Sequence, residues 1–337
     1  MYQQVNGCAL YRQLAPHDEL ARSHDFRIEI TNVIETMDDE KLKSFDLIQF
    51  HKNLLEITTF HRIKKLGIKT IADFDDYWVL PSNHLLYGFS KKQNSERIHI
   101  GMLRQFDYVS ASTERLAKEC RKYNDNVYVF PNSINPEKNQ YHVAPTLSTP
   151  VRIGWIGGAC HLPDIQLLKK LPHKLYWDHD VKDIYELQLF GYAPGGIKDH
   201  YANILNGDEK YPLTMFRQED AYTYTQFYNY TDIILVPLVK DKFNSMKSEL
   251  KIVEAGFFSK PVICSDVHPY KDLLIHGKNA LIVKNKNDWF RYAKQLILEP
   301  ELRLELGKNL HDTVKDKFDL RKTTEYRAEV YRDIING

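Results

Sequence analysis

A chain of 337 residues with 43% apolar side chains is long enough for two domains and too hydrophobic for wholesale disorder. Its formal net charge of +1 excludes a chain-wide field for nucleic acid or anionic membrane. The four cysteines, Cys8, Cys120, Cys160 and Cys264, lie far apart without metal-ligand spacing, no apolar run reaches a membrane span, and "MYQQVNGCAL" lacks the pattern of a secretory leader. These features predict a cytoplasmic protein with reduced thiols and no metal centre.

The first predicted element is "VNGCALYRQLAP", in which Gly7 opens a helix carrying Tyr11 and Arg12. A strand should precede such a loop, yet only "YQQV" is available, so that strand is very short or the sheet is built differently. Strands follow at "FRIEITNV", "FDLIQF", "IKTIADF", "FDYVSAS" and "NVYVFPN", with helical patterns at Leu54 to Leu66 and Ser112 to Arg121. After "NPEKNQYHVAPTLSTP", polar and with three prolines, the pattern restarts with "VRIGWIGG", "YELQLFGY", "DIILVPLV", "KPVICSD" and "NALIVKN". Helical patterns there cover Leu162 to Leu171 and Tyr222 to Tyr230, and the tail from Asp288 is helical and charged. Most strand runs are continuously apolar, as in parallel sheets buried on both faces. The expected architecture is α/β, with two Rossmann-like doubly wound domains. Residues 1–135 form the first, 136–150 a linker and 151–318 the second; 319–337 form a final helix.

Four polar constellations stand out. In "KSELKIVEAGFFSKPVICSD", helical geometry puts Lys251 about 40° from Lys247 and Glu254 about 20° the other way. The three residues share a face that is either a solvated surface or a grip on a ligand. Helix N–H groups and lysines at the carboxyl end of a strand suit phosphate. A carboxylate beyond them can accept hydrogen bonds from vicinal hydroxyls. In "IGWIGGACHLPDI", Gly157 and Gly158 let a ligand approach the backbone, and His161 and Asp164 either cap the helix or reach into a cleft. In "ADFDDYW", Asp73, Asp75 and Asp76 crowd a strand end, where carboxylates hold a metal, position a hydroxyl or act as a base. Gly7, Tyr11 and Arg12 make the fourth group. The basic runs "HRIKKLG" and "RLAKECRKYN" are either solvated helix faces or a local surface for nucleic acid or membrane.

The blocks "IGWIGGACHLPD", "LQLFGY", "YNYTDIILVPLVKDKFNSMKSELKIVEAGFFSKPVICSDVHPY" and "GKNALIVKN" resemble, in order, the donor domain of GT-B glycosyltransferases, and in particular retaining family 4 and its bacterial and phage subgroup with FNxxKSxxKxxEAG. "GxxxYRxxxP" at Gly7–Pro16 and "DFDD" resemble that subgroup's acceptor domain. The resemblance implies that the last helix crosses back onto the first domain. It further implies a metal-independent enzyme with no bound cofactor, moving a sugar from a UDP- or GDP-sugar to an acceptor hydroxyl with retention. Gly157, Gly158, Lys247, Ser248, Lys251 and Glu254 would bind the donor, with Glu254 on the ribose. Gly7, Tyr11 and Arg12 would lie on the acceptor side, and Asp73, Asp75, Asp76 and His161 at the reacting centre. The family's first glutamate falls at Met246 and is absent. The acceptor is a glycan, a lipid-linked sugar at the inner membrane face or a modified nucleic acid, and no protein partner is required. A nucleotide-sugar 2-epimerase and a non-catalytic nucleotide- or glycan-binding module share the plan.

Overall fold

The computed structural model describes residues 6–51, 57–143, 148–192, 197–205 and 211–337. Within them the chain builds two parallel sheets. The first holds β1 (Leu47–His51), β2 (Lys69–Phe74), β3 (Tyr108–Ala111) and β4 (Val127–Val129), paired in that order. Its register sets His51 beside Asp73 and Asp73 beside Ser110, so three polar residues stand in one row. The second sheet holds β5 (Val151–Ile156), β6 (Tyr185–Tyr192), β7 (Leu213–Arg217), β8 (Ile233–Val236), β9 (Val262–Ser265) and β10 (Leu281–Val283). Its order is β10-β9-β8-β5-β6-β7. The chain winds outward from β5 through β6 and β7, then returns to β8 on the other side of β5. That reversal leaves a crevice beyond the carboxyl ends of β5 and β8, where ligands of open α/β sheets bind.

The described chain opens with an unbroken helical run: α over Gly7–Ala9, π over Leu10–Leu14, then α over Ala15–Ser23. The Asn6 side chain caps it by accepting from Ala9 N–H at 2.8 Å. Pro16 has no N–H and its ring crowds the carbonyl four residues back, that of Arg12. The wider π turn absorbs that clash and carries Tyr11 and Arg12 inward, both buried.

The final helix, Leu320–Asn336, packs back on the first sheet. Ala328, Val330, Tyr331 and Ile334 share one core with Leu20, Ile71 and Phe130. Asp319 caps the helix through Arg321 N–H at 2.9 Å. Phe243, from the short helix Lys242–Ser245 after β8, is buried in the first domain's core, with Met246 packed against the same cluster. Burying a phenylalanine contributes about 2 kcal/mol to holding the domains together.

Two expectations are corrected, and one strand is added. "FRIEITNV" alternates like a strand, but no ladder joins it to another strand among the described residues; this segment and β1 instead line a cavity of about 900 Å³. β7 escaped the sequence reading because it is a half-exposed edge strand of mixed composition, Leu-Thr-Met-Phe-Arg. The Tyr222–Tyr230 pattern folds as a 3-10 helix over Tyr224–Tyr230. The "YQQV" strand and part of the Leu54–Leu66 helix lie outside the described residues, and the described helix there runs Ile57–Lys65.

Candidate functional site at the inter-domain crevice

The floor of the crevice is the turn after β5. Gly157 has no room for a side chain: a Cβ there would stand 2.5 Å from the Trp155 ring and 2.8 Å from Lys251 Nζ. Gly191, at φ +100°, brings its Cα face against the Gly157 carbonyl, where a Cβ would come within 2.6 Å. Gly158 is exposed with open space beside its Cα, and its carbonyl accepts from Tyr201 O–H at 2.8 Å.

Lys251 reaches this floor from the helix Leu250–Phe257, its Nζ 5.1 Å from the centre of the Trp155 ring. Burial lowers its pKa from 10.5 to about 8; Asp164 opposes the shift and Lys247 adds to it. Lys247 and Ser248 do not share that helix. They lie in the turn between Lys242–Ser245 and Leu250, so the single-face geometry expected for Lys247, Lys251 and Glu254 is corrected. The two ammonium groups nevertheless act on the same ground: each depresses His161. Lys247 Nζ stands 3.7 Å from Asp76 Oδ1 of the first domain and 4.8 Å from the centre of the Phe243 ring.

His161 hydrogen-bonds through Nδ1 to Asp164 Oδ2 at 2.8 Å, and Asp164 Oδ1 accepts from Val239 N–H at 2.7 Å. Asp164 thus ties the loop after β5 to the loop after β8. Burial, with Lys251 adding to it and the Asp164 bond opposing, lowers the His161 pKa to about 4, so its imidazole is neutral at pH 7.

Part of the acidic cluster is structural. Asp73 is fully buried and accepts from Arg12 Nε at 3.1 Å, from Ser110 Oγ at 2.6 Å and from His51 Nδ1 at 2.8 Å, with a second, shorter bond from Arg12 Nη2. Burial pushes its pKa up, but Arg12 and His51 outweigh that and hold the carboxyl well below the usual range. Asp73 therefore does not reach the crevice, and Arg12 is its counter-ion rather than an acceptor-side group. Asp75 is 7% exposed, and its carbonyl accepts from Ser112 Oγ at 3.1 Å. Asp76 is the member that meets the second domain.

Ser248 Oγ accepts from Asn132 Nδ2 at 2.9 Å, and Asn132 Oδ1 accepts from Arg12 Nη1 at 3.2 Å. One chain of bonds so runs from the Asp73 pair to the turn holding Lys247. Met246 offers its carbonyl to Thr113 Oγ1 at 3.2 Å while its side chain packs on the first domain's core. The position where a glutamate was expected is an apolar plug between domains.

Glu254 lies one turn beyond Lys251 on the same helix, near enough for the two charges to act on each other. Its carboxylate is 2% exposed and accepts from Tyr11 O–H at 2.6 Å, from Tyr228 O–H at 2.8 Å and from Tyr224 O–H. Burial raises its pKa and the three hydroxyls oppose that rise. Tyr11, expected on the acceptor side, is instead buried against this carboxylate. Gly7 stands at the helix start with nothing within 4 Å of a Cβ built there.

Sequence reasoning missed His84, whose ring centre lies 5.4 Å from that of Phe243. Burial and Lys247 lower its pKa, with Asp76 and Asp164 opposing, which sets it in the same crevice. A lone histidine in "PSNHLLYG" carries no spacing signal. No group of three or more His, Cys, Asp or Glu able to hold a metal occurs among the described residues. None of the helices there is long and apolar enough to cross a membrane.

No family model matches the chain. It is similar to the trehalose synthases of Thermococcus litoralis and Pyrococcus furiosus, each 28% identical over 125 residues, 37% of this chain and 28% of theirs. The match thus spans under a third of the length of these curated relatives. Among solved structures it is similar to sucrose-phosphate synthase from Thermosynechococcus elongatus, with a TM-score of 0.68 and 15% identity over 92% of this chain and 81% of that one. It is also similar to Anabaena Alr3699/HepE in complex with UDP and glucose, with a TM-score of 0.63 and 15% identity over 87% and 79% of the two chains. These likenesses establish the fold, the two-domain GT-B arrangement expected from the sequence.

Proposed function

We propose that the chain is a glycosyltransferase that moves a sugar from a nucleotide-diphosphate sugar, UDP- or GDP-linked, to an acceptor hydroxyl. The observation that carries the reading is the placing of Lys251 on the Gly157 floor at the topological switch of the second sheet, with Lys247 close enough to act on both Lys251 and His161. Breaking the sugar–oxygen bond sends the bonding pair to the departing diphosphate. Two cations already fixed beside a backbone that tolerates close approach stabilise that charge as it develops. Lys251, held near its titration point when unliganded, becomes fully protonated as a dianion settles beside it. Ser248 accepts from Asn132 and keeps its own O–H to donate to a phosphate oxygen.

On the opposite wall, Asp76 faces Lys247, and Asp75 lies beside it. These carboxylates orient the acceptor hydroxyl, with neutral His161 toward the donor sugar. Transfer from the leaving-group side retains the anomeric configuration. Glu254 is assigned to the donor ribose, one turn beyond the lysine that holds the diphosphate. The acceptor is a glycan, a lipid-linked sugar or a modified nucleic acid; a lipid-linked acceptor would bring the enzyme to the inner membrane face. The UDP complex of the Anabaena neighbour supports a nucleotide donor.

The test is incubation of the purified chain with UDP- and GDP-sugars, with and without hydroxyl acceptors, while free nucleotide diphosphate is measured. Release that rises with acceptor supports transfer. Conversion of the donor without acceptor and without release would show an epimerase instead.

A further inference from the structure

The Glu254 carboxylate is bonded by hydroxyls from two separate parts of the fold. Tyr224 and Tyr228 sit on the 3-10 helix of the second domain and move with Glu254. Tyr11 comes from the π turn of the first domain, and Tyr141, from the inter-domain connection, donates to its oxygen at 2.8 Å. A carboxylate has about four acceptor positions, and the three tyrosines use most of them. No solvent reaches what remains, since Glu254 is 2% exposed. A nucleotide whose diphosphate lies on Lys251 brings its ribose diol toward the residue one helical turn along. That diol has the chemistry of the hydroxyls already present: neutral O–H donors to an anionic acceptor.

We infer that Tyr11 holds the seat on Glu254 that a ribose hydroxyl of the donor takes, and that donor binding exchanges one hydroxyl for the other. This rests on the donor-ribose assignment made above for Glu254. Among the three donors Tyr11 is the exchangeable one, because it belongs to the facing domain while the other two share the domain of Glu254. Tyr224 and Tyr228 remain bonded and keep the carboxylate oriented for the diol. Tyr11 is thus a positioning residue whose hydroxyl competes with the nucleotide.

The experiment compares full-length wild type, Tyr11→Phe and Tyr141→Phe by calorimetric titration. The ligands are UDP or GDP, whichever the chain binds, and the matching 2′,3′-dideoxynucleotide. The preference for the ribonucleotide is expected to be clear in Tyr11→Phe and smaller in wild type, where the ribose must first displace Tyr11. Tyr11→Phe removes the competitor and keeps the ring, so it tightens the ribonucleotide about three- to tenfold, the range of one hydrogen bond, and leaves the dideoxy form unchanged. Tyr141→Phe, whose hydroxyl steadies Tyr11 without meeting Glu254, tightens the ribonucleotide less than Tyr11→Phe does and leaves the dideoxy form unchanged. Equal affinity for the two nucleotides in Tyr11→Phe, where no hydroxyl competes, would defeat the ribose assignment itself. Wild-type discrimination with no gain in Tyr11→Phe, or a loss for both ligands, would overturn the exchange while leaving that assignment intact. A readout that keeps the hydroxyl of Tyr11 is 3-fluorotyrosine placed at position 11 alone: its fluorine resonance shifts with the ribonucleotide and not with the dideoxy form.

Discussion

Replacing Lys251 with methionine should make the ligand-free protein more stable while weakening its hold on nucleotide. The wild-type ammonium is depressed from 10.5 to about 8 by burial, so at pH 7 the fold carries a charged group it disfavours. Taken alone, that shift corresponds to a cost of about 3 kcal/mol. Asp164 already returns part of it within that balance, and the contact with the Trp155 ring, worth about 0.5–1 kcal/mol, is lost with the charge. Methionine fills similar volume, leaving a net gain of about 1–2 kcal/mol, or roughly 2–6 °C in Tm for domains of this size. The sign with pH follows from the same shift. Between about 8 and 10.5 the unfolded chain binds the proton that the folded chain has lost, so wild-type stability rises across that window. The advantage of Lys251→Met is therefore full below about pH 8 and fades as pH approaches 10.5. Thermal unfolding of both proteins without nucleotide at pH 7 and pH 10 measures it. A variant less stable than wild type at pH 7, with unchanged nucleotide affinity, would show that Lys251 serves the fold and not a ligand.

Other substitutions separate scaffold from site. Asp73→Asn should cost about 3–5 kcal/mol in urea unfolding, because it strands the buried Arg12 charge. Asp76→Asn should keep nucleotide affinity by calorimetry and lower the rate of sugar transfer about 10²–10⁴-fold, as expected for a group acting on the attacking hydroxyl. Met246→Glu should not restore a family contact. It places a carboxylate against the first domain's apolar core and should lower stability by about 2–4 kcal/mol, read as an earlier urea midpoint.

Continuous apolar runs disclosed the two parallel sheets because a strand buried on both faces leaves little choice of residue. Edges were less legible. Leu213–Arg217 is half exposed, and "FRIEITNV" has a strand's alternation but no partner ladder among the described residues. The lysines were singled out by a helical extrapolation that the structure corrects: the helix starts at Leu250, and Lys247 lies in the turn before it. The acidic cluster was visible as a cluster, yet its division of labour depends on Arg12, 61 residues from Asp73 in sequence. No local pattern encodes that pairing, nor the 243-residue span that closes Tyr11 on Glu254. Gly157 was expected to leave room for a ligand; the structure instead fills the space beside its Cα with the Trp155 ring and Lys251, a packing the local sequence does not reveal.

The most direct measurement of the central claim is titration of UDP and GDP into the wild-type chain and into Lys247→Met/Lys251→Met. If the crevice grips a diphosphate, one nucleotide binds wild type and its affinity falls at least about 100-fold in the double variant, the loss of two charge-assisted contacts. Binding of equal strength to both proteins, or of neither nucleotide to wild type, would contradict the account.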